Sequence, residues 1–327
     1  MIKPAELLLG KTLDGGFTVK KKVPKRAGRT GGHFSVCYVA EKDGKEYFLK
    51  ATDTTFVRTG KSGADGLRDA LTAFTYERDI LELAIAHAMT RVVRVLASGE
   101  VPVKLKVAGM GEIELPVFYL IFERGEDSLR DQMQTGLAVK PIDKLKALHH
   151  IALGVRQLHA KGVAHQDLKP SNVMRFLEEQ EAAAAAAKEL DHYKIADMGC
   201  ASQKGKAALH DSLPVPGDRR YAPPEGLYEQ NTAFDFERRR FGADLYMLAS
   251  LTVQLFTGAT MSAAMQRKLP ETHRISRWKG PYDQLLPRLI EAFDGVLLDL
   301  RKDWPYRKEE PRIADRLELM TRQLCCP

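Results

Sequence analysis

Hydrophobic and polar positions alternate over the first third of the chain and recur at helical spacing over most of the rest, so strands are expected first and helices after. From Phe17 to Lys50 the order is strand, loop, strand, turn, strand. FTVKKKV is β-prone, GRTGGHF is rich in breakers, SVCYVAE is β-branched and aromatic, KDGKE carries an Asp-Gly turn, and EYFLK closes the set. A helix is predicted from about Asp65 to Met89, with an apolar stripe through Leu67, Leu71, Phe74, Ile80, Leu81 and Ala84. Arg91 to Glu123 reads as two or three strands joined by Gly-bearing turns. Beyond the polar stretch ERGEDSL the pattern turns helical. In DKLKALHHIALGVRQLHAKG, residues Leu145, Leu148, Ile151, Ala152, Val155 and Leu158 share a face and Gly162 supplies the stop. The apolar run Ala243 to Gly258 and two further segments near the C-terminus read as packing helices.

The change of period sets a domain boundary, giving a sheet-rich unit 1–123 and a helical unit 124–327. Within the second, an insert at about 176–192 contains six consecutive Ala flanked by Glu and Lys, a strong helix former with no chemistry of its own. Two charges fall on apolar surfaces. Lys50 ends the strand Tyr47-Phe48-Leu49, and Glu77 lies on the helix stripe between Phe74 and Leu81. A buried charge calls for a partner, so the two are expected to meet. The competing readings are a strand-end Lys turned to solvent and a Glu at the margin of the stripe.

Composition narrows the class. The chain has 327 residues, 44% hydrophobic and 28% charged, which fits a globular protein with two sub-cores and excludes a disordered one. Four Cys, at 37, 200, 325 and 326, form neither a disulfide framework nor a paired zinc-binding spacing, and a reducing cytoplasm is expected. No apolar run approaches the length that spans a bilayer, so no transmembrane segment is expected. Six of the ten residues from Lys20 to Arg29 are basic. With no aromatic residues interleaved, this run reads as a solvated edge that favours an acidic partner, and nucleic acid is the weaker reading. His149, His150 and His159 lack a ligand-set spacing and read as ordinary helix residues.

The chemistry concentrates in HQDLKPSN, His165 to Asn172. It offers a carboxylate at Asp167, an ammonium at Lys169 and a carboxamide at Asn172, on a stretch that Pro170 keeps from being helical. Phosphoryl transfer needs such a trio: one group accepts the proton of the incoming hydroxyl, one balances charge on the moving phosphoryl, and one holds a metal ion. The stretch resembles the catalytic loop of the protein kinase family, H-R-D-L-x-x-x-N, with Gln166 in the Arg place. The resemblance continues in order through the chain. TGGHFSVC keeps part of the glycine-rich pattern, with Cys37 in the Val position; Lys50 and Glu77 stand where the family pairs a strand Lys with a helix Glu; Asp197-Met198-Gly199 resembles D-F-G; and Tyr221, Pro224 and Glu225 resemble the Y-x-A-P-E anchor, with Asp218 where a Thr is frequent.

That resemblance implies an α+β, bilobal protein-kinase-like fold: a small antiparallel sheet lobe with one main helix, and a larger, mainly helical lobe. It implies ATP and Mg²⁺ as cofactors. ATP contacts then fall to Gly31, Gly32, Cys37, Lys50, Glu77, Glu123, Gly125 and Met174, with the backbone from Glu123 to Gly125 reading the adenine edge and Phe122 guarding the pocket behind it. Asn172 and Asp197 take the metal, and Asp167 and Lys169 are catalytic. Lys169 two residues after Asp167 resembles the kinases that phosphorylate Ser and Thr of protein substrates. The Arg absent at 166 is the group that in many kinases pairs with a loop phosphate, and before Tyr221 the loop has two hydroxyl side chains, Ser202 and Ser212, so activity without loop phosphorylation is expected. Asp244 is expected to tie the catalytic loop down, and Arg307 and Arg312 are the candidates to pair with Glu225. The alternative is a pseudokinase acting as a nucleotide-binding or protein-binding scaffold, which the worn glycine loop and Met198 favour.

Overall fold

The computed structural model describes residues 3–24, 35–52, 64–107, 111–135, 140–177, 192–229, 235–303, 308 and 310–325. The chain divides into two compact units, Met1–Glu126 and Asp127–Pro327.

The first unit is built on an antiparallel sheet. Its strands are β1 (Thr12–Leu13), β2 (Phe17–Lys22), β3 (Ser35–Lys42) and β4 (Lys45–Thr52), then, after helix α1 (Ala64–Ala86), β5 (Val95–Val107) and β6 (Gly111–Phe122). They lie in the order β1-β2-β3-β4-β6-β5. Alternate residues point to one side of the sheet, and Val19, Val36, Tyr38, Ala40, Leu49, Ala51, Val117, Tyr119 and Ile121 bury together there. Two long strands, not three short ones, fill residues 95–122, with Pro102 paired opposite Pro116 inside the ladder. Gly99 is a ladder residue that makes room for an aromatic ring: a Cβ there would sit 2.6 Å from the Tyr119 hydroxyl. Helix α1 stops earlier than its stripe predicts, near Ala88, whose φ is +48°. Phe74, Ile80, Leu81 and Ala84 are buried, whereas Leu71 is exposed.

The basic run does not stand free where it is described. Lys22 pairs with Glu6 at 2.9 Å and Lys20 with Glu41 at 3.8 Å. Residues 25–29 of that run, and Gly31 and Gly32 after it, lie outside the described residues.

The second unit begins with β7 (Asp127–Ser128) and α2 (Leu129–Gln134), whose start is a capping box between Ser128 and Asp131. Helix α3 (Pro141–His159), β8 (Val163–Ala164), β9 (Val173–Phe176), β10 (His192–Ile195) and β11 (Ser202–Gln203) follow. Then come α4 (Pro224–Leu227), α5 (Gly242–Thr257) with a π-helical turn Glu237–Phe241 before it, α6 (Met261–Lys268), α7 (Tyr282–Asp303) and α8 (Pro311–Cys325). Strands β10, β9 and β7 form one small sheet and β11 and β8 another. Helix α5 is apolar on every side and is correspondingly buried on every side. The insert is shorter than the sequence suggests, because Phe176 and His192 pair across β9 and β10; residues 178–191 between them lie outside the described residues. Among the described residues, no single helix is long and apolar enough to cross a membrane.

Candidate active site

In the first unit, strand register sets Cys37 on β3 directly opposite Lys50 on β4. The Lys50 ammonium bonds both oxygens of Glu77 on α1, at 2.8 and 3.0 Å. The side chains are 19% and 10% exposed, so this pair is well shielded from water and salt. A strand-end cation is thus held by a helix carboxylate instead of turning to solvent. Glu123 closes the last strand: its N–H donates to the Arg94 carbonyl at 3.1 Å and its carboxylate accepts from the Arg94 N–H at 2.7 Å. Gly125 follows in irregular backbone at the end of this unit.

In the second unit, Asp167, Asn172 and Asp197 are brought together by backbone. The β9–β10 hairpin registers Val173 with Ile195, and the Ala196 N–H donates to the Asn172 carbonyl at 2.8 Å, which sets Asp197 beside Asn172. Met174 is paired with Lys194 on the same hairpin. The Asn172 amide then reaches the Asp167 carbonyl and the Asp167 Oδ2, both at 3.0 Å. Lys169 Nζ donates to the same Oδ2 at 2.7 Å, and the Asp218 N–H donates to Oδ1 at 2.8 Å. An ionised carboxylate offers about four acceptor positions, so these three bonds fix Asp167 and leave about one for an incoming hydroxyl. Burial pushes the Asp167 carboxyl above the ordinary range; the Lys169 ammonium and the Asp218 N–H pull it down, and the nearby Asp197 pushes it up.

The residues around this trio are held in turn. The Asp167 N–H donates to His165 Nδ1 at 3.2 Å, so Nδ1 carries no proton and Nε2 is free to donate to the Ala196 carbonyl at 3.1 Å. Asp244, wholly buried at the start of α5, accepts from the backbone of His165 at 2.7 Å and of Gln166 at 2.6 Å. It also bonds His159 Nε2 at 2.8 Å, so His159 is part of this support and not an ordinary helix residue. Gly217 touches the loop so closely that a Cβ would lie 2.3 Å from the Gln166 carbonyl and 2.7 Å from Asp167 Oδ1. Asp218, next to it, lies 4.0 Å from Lys169 and takes a two-point bond from Arg220. Burial would raise its carboxyl, but Arg220 and Lys169 together hold it low.

Met198 is 1% exposed and fills the apolar position behind Asp197, whose φ of +68° turns the chain sharply there. Glu225 pairs with no cation among the described residues; Arg312 is exposed and apart from it, and Arg307 lies outside the described residues. Burial therefore pushes the Glu225 carboxyl up.

No group of three or more His, Cys, Asp or Glu among the described residues is arranged to hold a metal. A magnesium site does not require one, because Mg²⁺ keeps several waters and is bound through one or two carboxylates plus substrate phosphates. The hard oxygens of Asp197 and Asn172 fit that requirement. The Asn172 amide nitrogen is spent on Asp167, and among the described residues its Oδ1 meets only a long contact from Ser171, at 3.4 Å.

Over residues 32–293 the chain matches the family profile of the protein kinase domain. It belongs to the protein kinase family. Relatives of this kinase domain include a Wee1-like protein kinase of Drosophila melanogaster, 25% identical over 49% of the chain and 27% of the relative. Beta-adrenergic receptor kinase 1 of Didelphis virginiana is 29% identical over 45% of the chain and 19% of the relative. Extracellular signal-regulated kinase 7 of Drosophila melanogaster is 24% identical over 67% of the chain and 20% of the relative. The match thus spans about a quarter or less of the length of these proteins. The antiparallel sheet of the first unit and the helical second unit are the two parts expected of the kinase fold.

Reading the sequence for chemistry misses two residues of this site, His159 and Gly217. Gly217 alone leaves a trace, as a glycine beside Asp218 in a loop whose neighbours are Pro and charged residues.

Proposed function

We propose that this chain transfers the γ-phosphoryl group of ATP, with Mg²⁺, to Ser and Thr hydroxyls of a protein substrate. What carries the reading is Asp167, 6% exposed, ionically bonded to Lys169 at 2.7 Å and bonded to the Asn172 amide. In this assignment Asp167 accepts the hydroxyl proton and Lys169 lies beside it to offset negative charge on the phosphoryl oxygens. Lys50, oriented by Glu77, takes the nucleotide phosphates. Asn172 and Asp197 hold the metal, which when bound neutralises charge on the phosphates. The backbone near Glu123 and Gly125 takes the adenine edge, while Cys37 and Met174 supply apolar contacts to the base. Lys169 supports Ser and Thr as acceptors over Tyr.

The experiment is transfer of labelled phosphate from Mg-ATP to Ser, Thr and Tyr forms of one generic peptide, with Asp167→Asn alongside. The expected result is labelling of the Ser and Thr forms by the intact chain and a loss of about 10²–10⁴-fold in Asp167→Asn, the usual worth of a general base. Equal labelling by both chains removes the enzyme reading, and labelling of the Tyr form alone removes the Ser/Thr assignment.

A further inference from the structure

Against the segment between Cys200 and Asp218 the second unit carries an ion pair, its arginine buried and its aspartate half-buried, that phosphoryl transfer does not use. Arg240 is 1% exposed and comes from the π-helical turn Glu237–Phe241, a rare geometry that favours functional positions. Its guanidinium donates to Gln166 Oε1, to the Asp211 carbonyl at 2.9 Å and to Asp211 Oδ1 at 3.2 Å. Gln166 Nε2 donates to the Cys200 carbonyl at 3.0 Å and to Ser202 Oγ at 2.7 Å. The Ser202 hydroxyl gives its proton to Asp211 Oδ1 at 2.9 Å, so His210 Nε2, 3.3 Å from Ser202 Oγ, acts as a donor to that hydroxyl oxygen. The Ala208 N–H completes the set at Asp211 Oδ2, 2.7 Å away.

Two features tie this set to the catalytic loop. Gln166 immediately precedes Asp167, and its φ of +61° is a left-handed conformation that the surroundings must hold in place. The far end of the same loop supplies the Asp218 N–H to Asp167. Taking a guanidinium out of water is costly unless its donors are met, and here the two terminal nitrogens meet one acidic residue and one carboxamide.

Building on the phosphotransferase reading, we propose that Arg240 is a positioning residue. With Asp211 it locks the Ser202–Asp218 segment onto the catalytic loop through an anion the chain carries itself, doing without a phosphate on that segment. Ser202, 1% exposed and bonded on three sides, is unavailable for modification.

The test uses the full chain after phosphatase treatment, checked by mass spectrometry, with transfer to a generic Ser/Thr peptide and amide hydrogen exchange read together. Phosphatase treatment is expected to leave the rate unchanged. Gln166→Arg sets a second guanidinium against Arg240. It is expected to lower kcat about tenfold at unchanged KM for ATP, and to speed exchange at Ala208 and Asp218 while α5 amides stay protected. Adding Arg240→Gln swaps guanidinium and carboxamide and is expected to restore both readouts. Phosphatase-sensitive transfer, a Gln166→Arg chain with unaltered rate and exchange, or a double variant no better than the single one overturns the proposal. An intact chain that transfers nothing removes the phosphotransferase reading instead; exchange at Ala208 and Asp218 then decides the lock by itself, supporting it if Gln166→Arg speeds it and overturning it if not.

Discussion

In the proposed role Asp167 must be ionised to take a proton, yet burial pushes its carboxyl above the ordinary range and Lys169 is the largest influence opposing that. Activity should therefore rise with pH through this raised pKa, on the acid side of the profile. Lys169→Met removes the opposing cation and should move that limb to higher pH, as well as lowering kcat. A kcat/KM profile whose acid limb stays in place would argue that Lys169 does not tune Asp167. Glu225 is a second acid, half-buried, whose carboxyl is raised by desolvation with its own N–H in opposition. A group whose folded pKa is raised contributes stability below its unfolded pKa and loses it as pH rises through the folded one. Glu225→Gln should consequently raise Tm relative to the parent chain more at pH 8 than at pH 5. Thermal unfolding at both values checks this, and an equal difference at the two would mean the acid is already satisfied.

At the scale of elements, the catalytic loop has almost no ladder of its own and depends on what surrounds it. Asp244, on the first turn of α5, satisfies two loop N–H groups and His159 at once. Asp244→Ala leaves two buried donors unmet, at roughly 1–3 kcal/mol each, so a loss of about 2–6 kcal/mol is expected in urea unfolding; under about 1 kcal/mol would show that water or a neighbour replaces the acid. The element order was legible because alternation and helical spacing are local signals, and the loop was legible because six of the eight residues from His165 to Asn172 are polar. Arg240 was not. In ERRRF it is one of three successive arginines that look alike as a solvated charge run, and its partner Asp211 lies 29 positions away. What singles it out is the π turn, which no spacing in the sequence announces. The reason for Gly99 is hidden in the same way: the bulk of Tyr119 across the ladder demands a residue without a side chain, a contact set by register and not by the local pattern.

Over the whole molecule, the proposed nucleotide residues fall in both units, Lys50 and Glu77 in Met1–Glu126 and Asn172 and Asp197 in Asp127–Pro327. Ligand binding is linked to unfolding of every segment that contributes to it, so a nucleotide that binds through these residues should raise Tm. With Mg-ATP at about a hundred times its Kd the gain is roughly 2.7 kcal/mol. For a protein of this size that corresponds to a rise in Tm on the order of 5 °C. The rise should shrink when EDTA removes the metal, and again in Lys50→Met or Asp197→Ala, each compared with its own ligand-free Tm so that intrinsic destabilisation drops out. The two substitutions separate the assignments. If Asp197→Ala leaves the magnesium-dependent part of the shift intact, the metal is held elsewhere; if Lys50→Met leaves the whole shift intact, the ion pair with Glu77 serves the first unit's stability and not the phosphates.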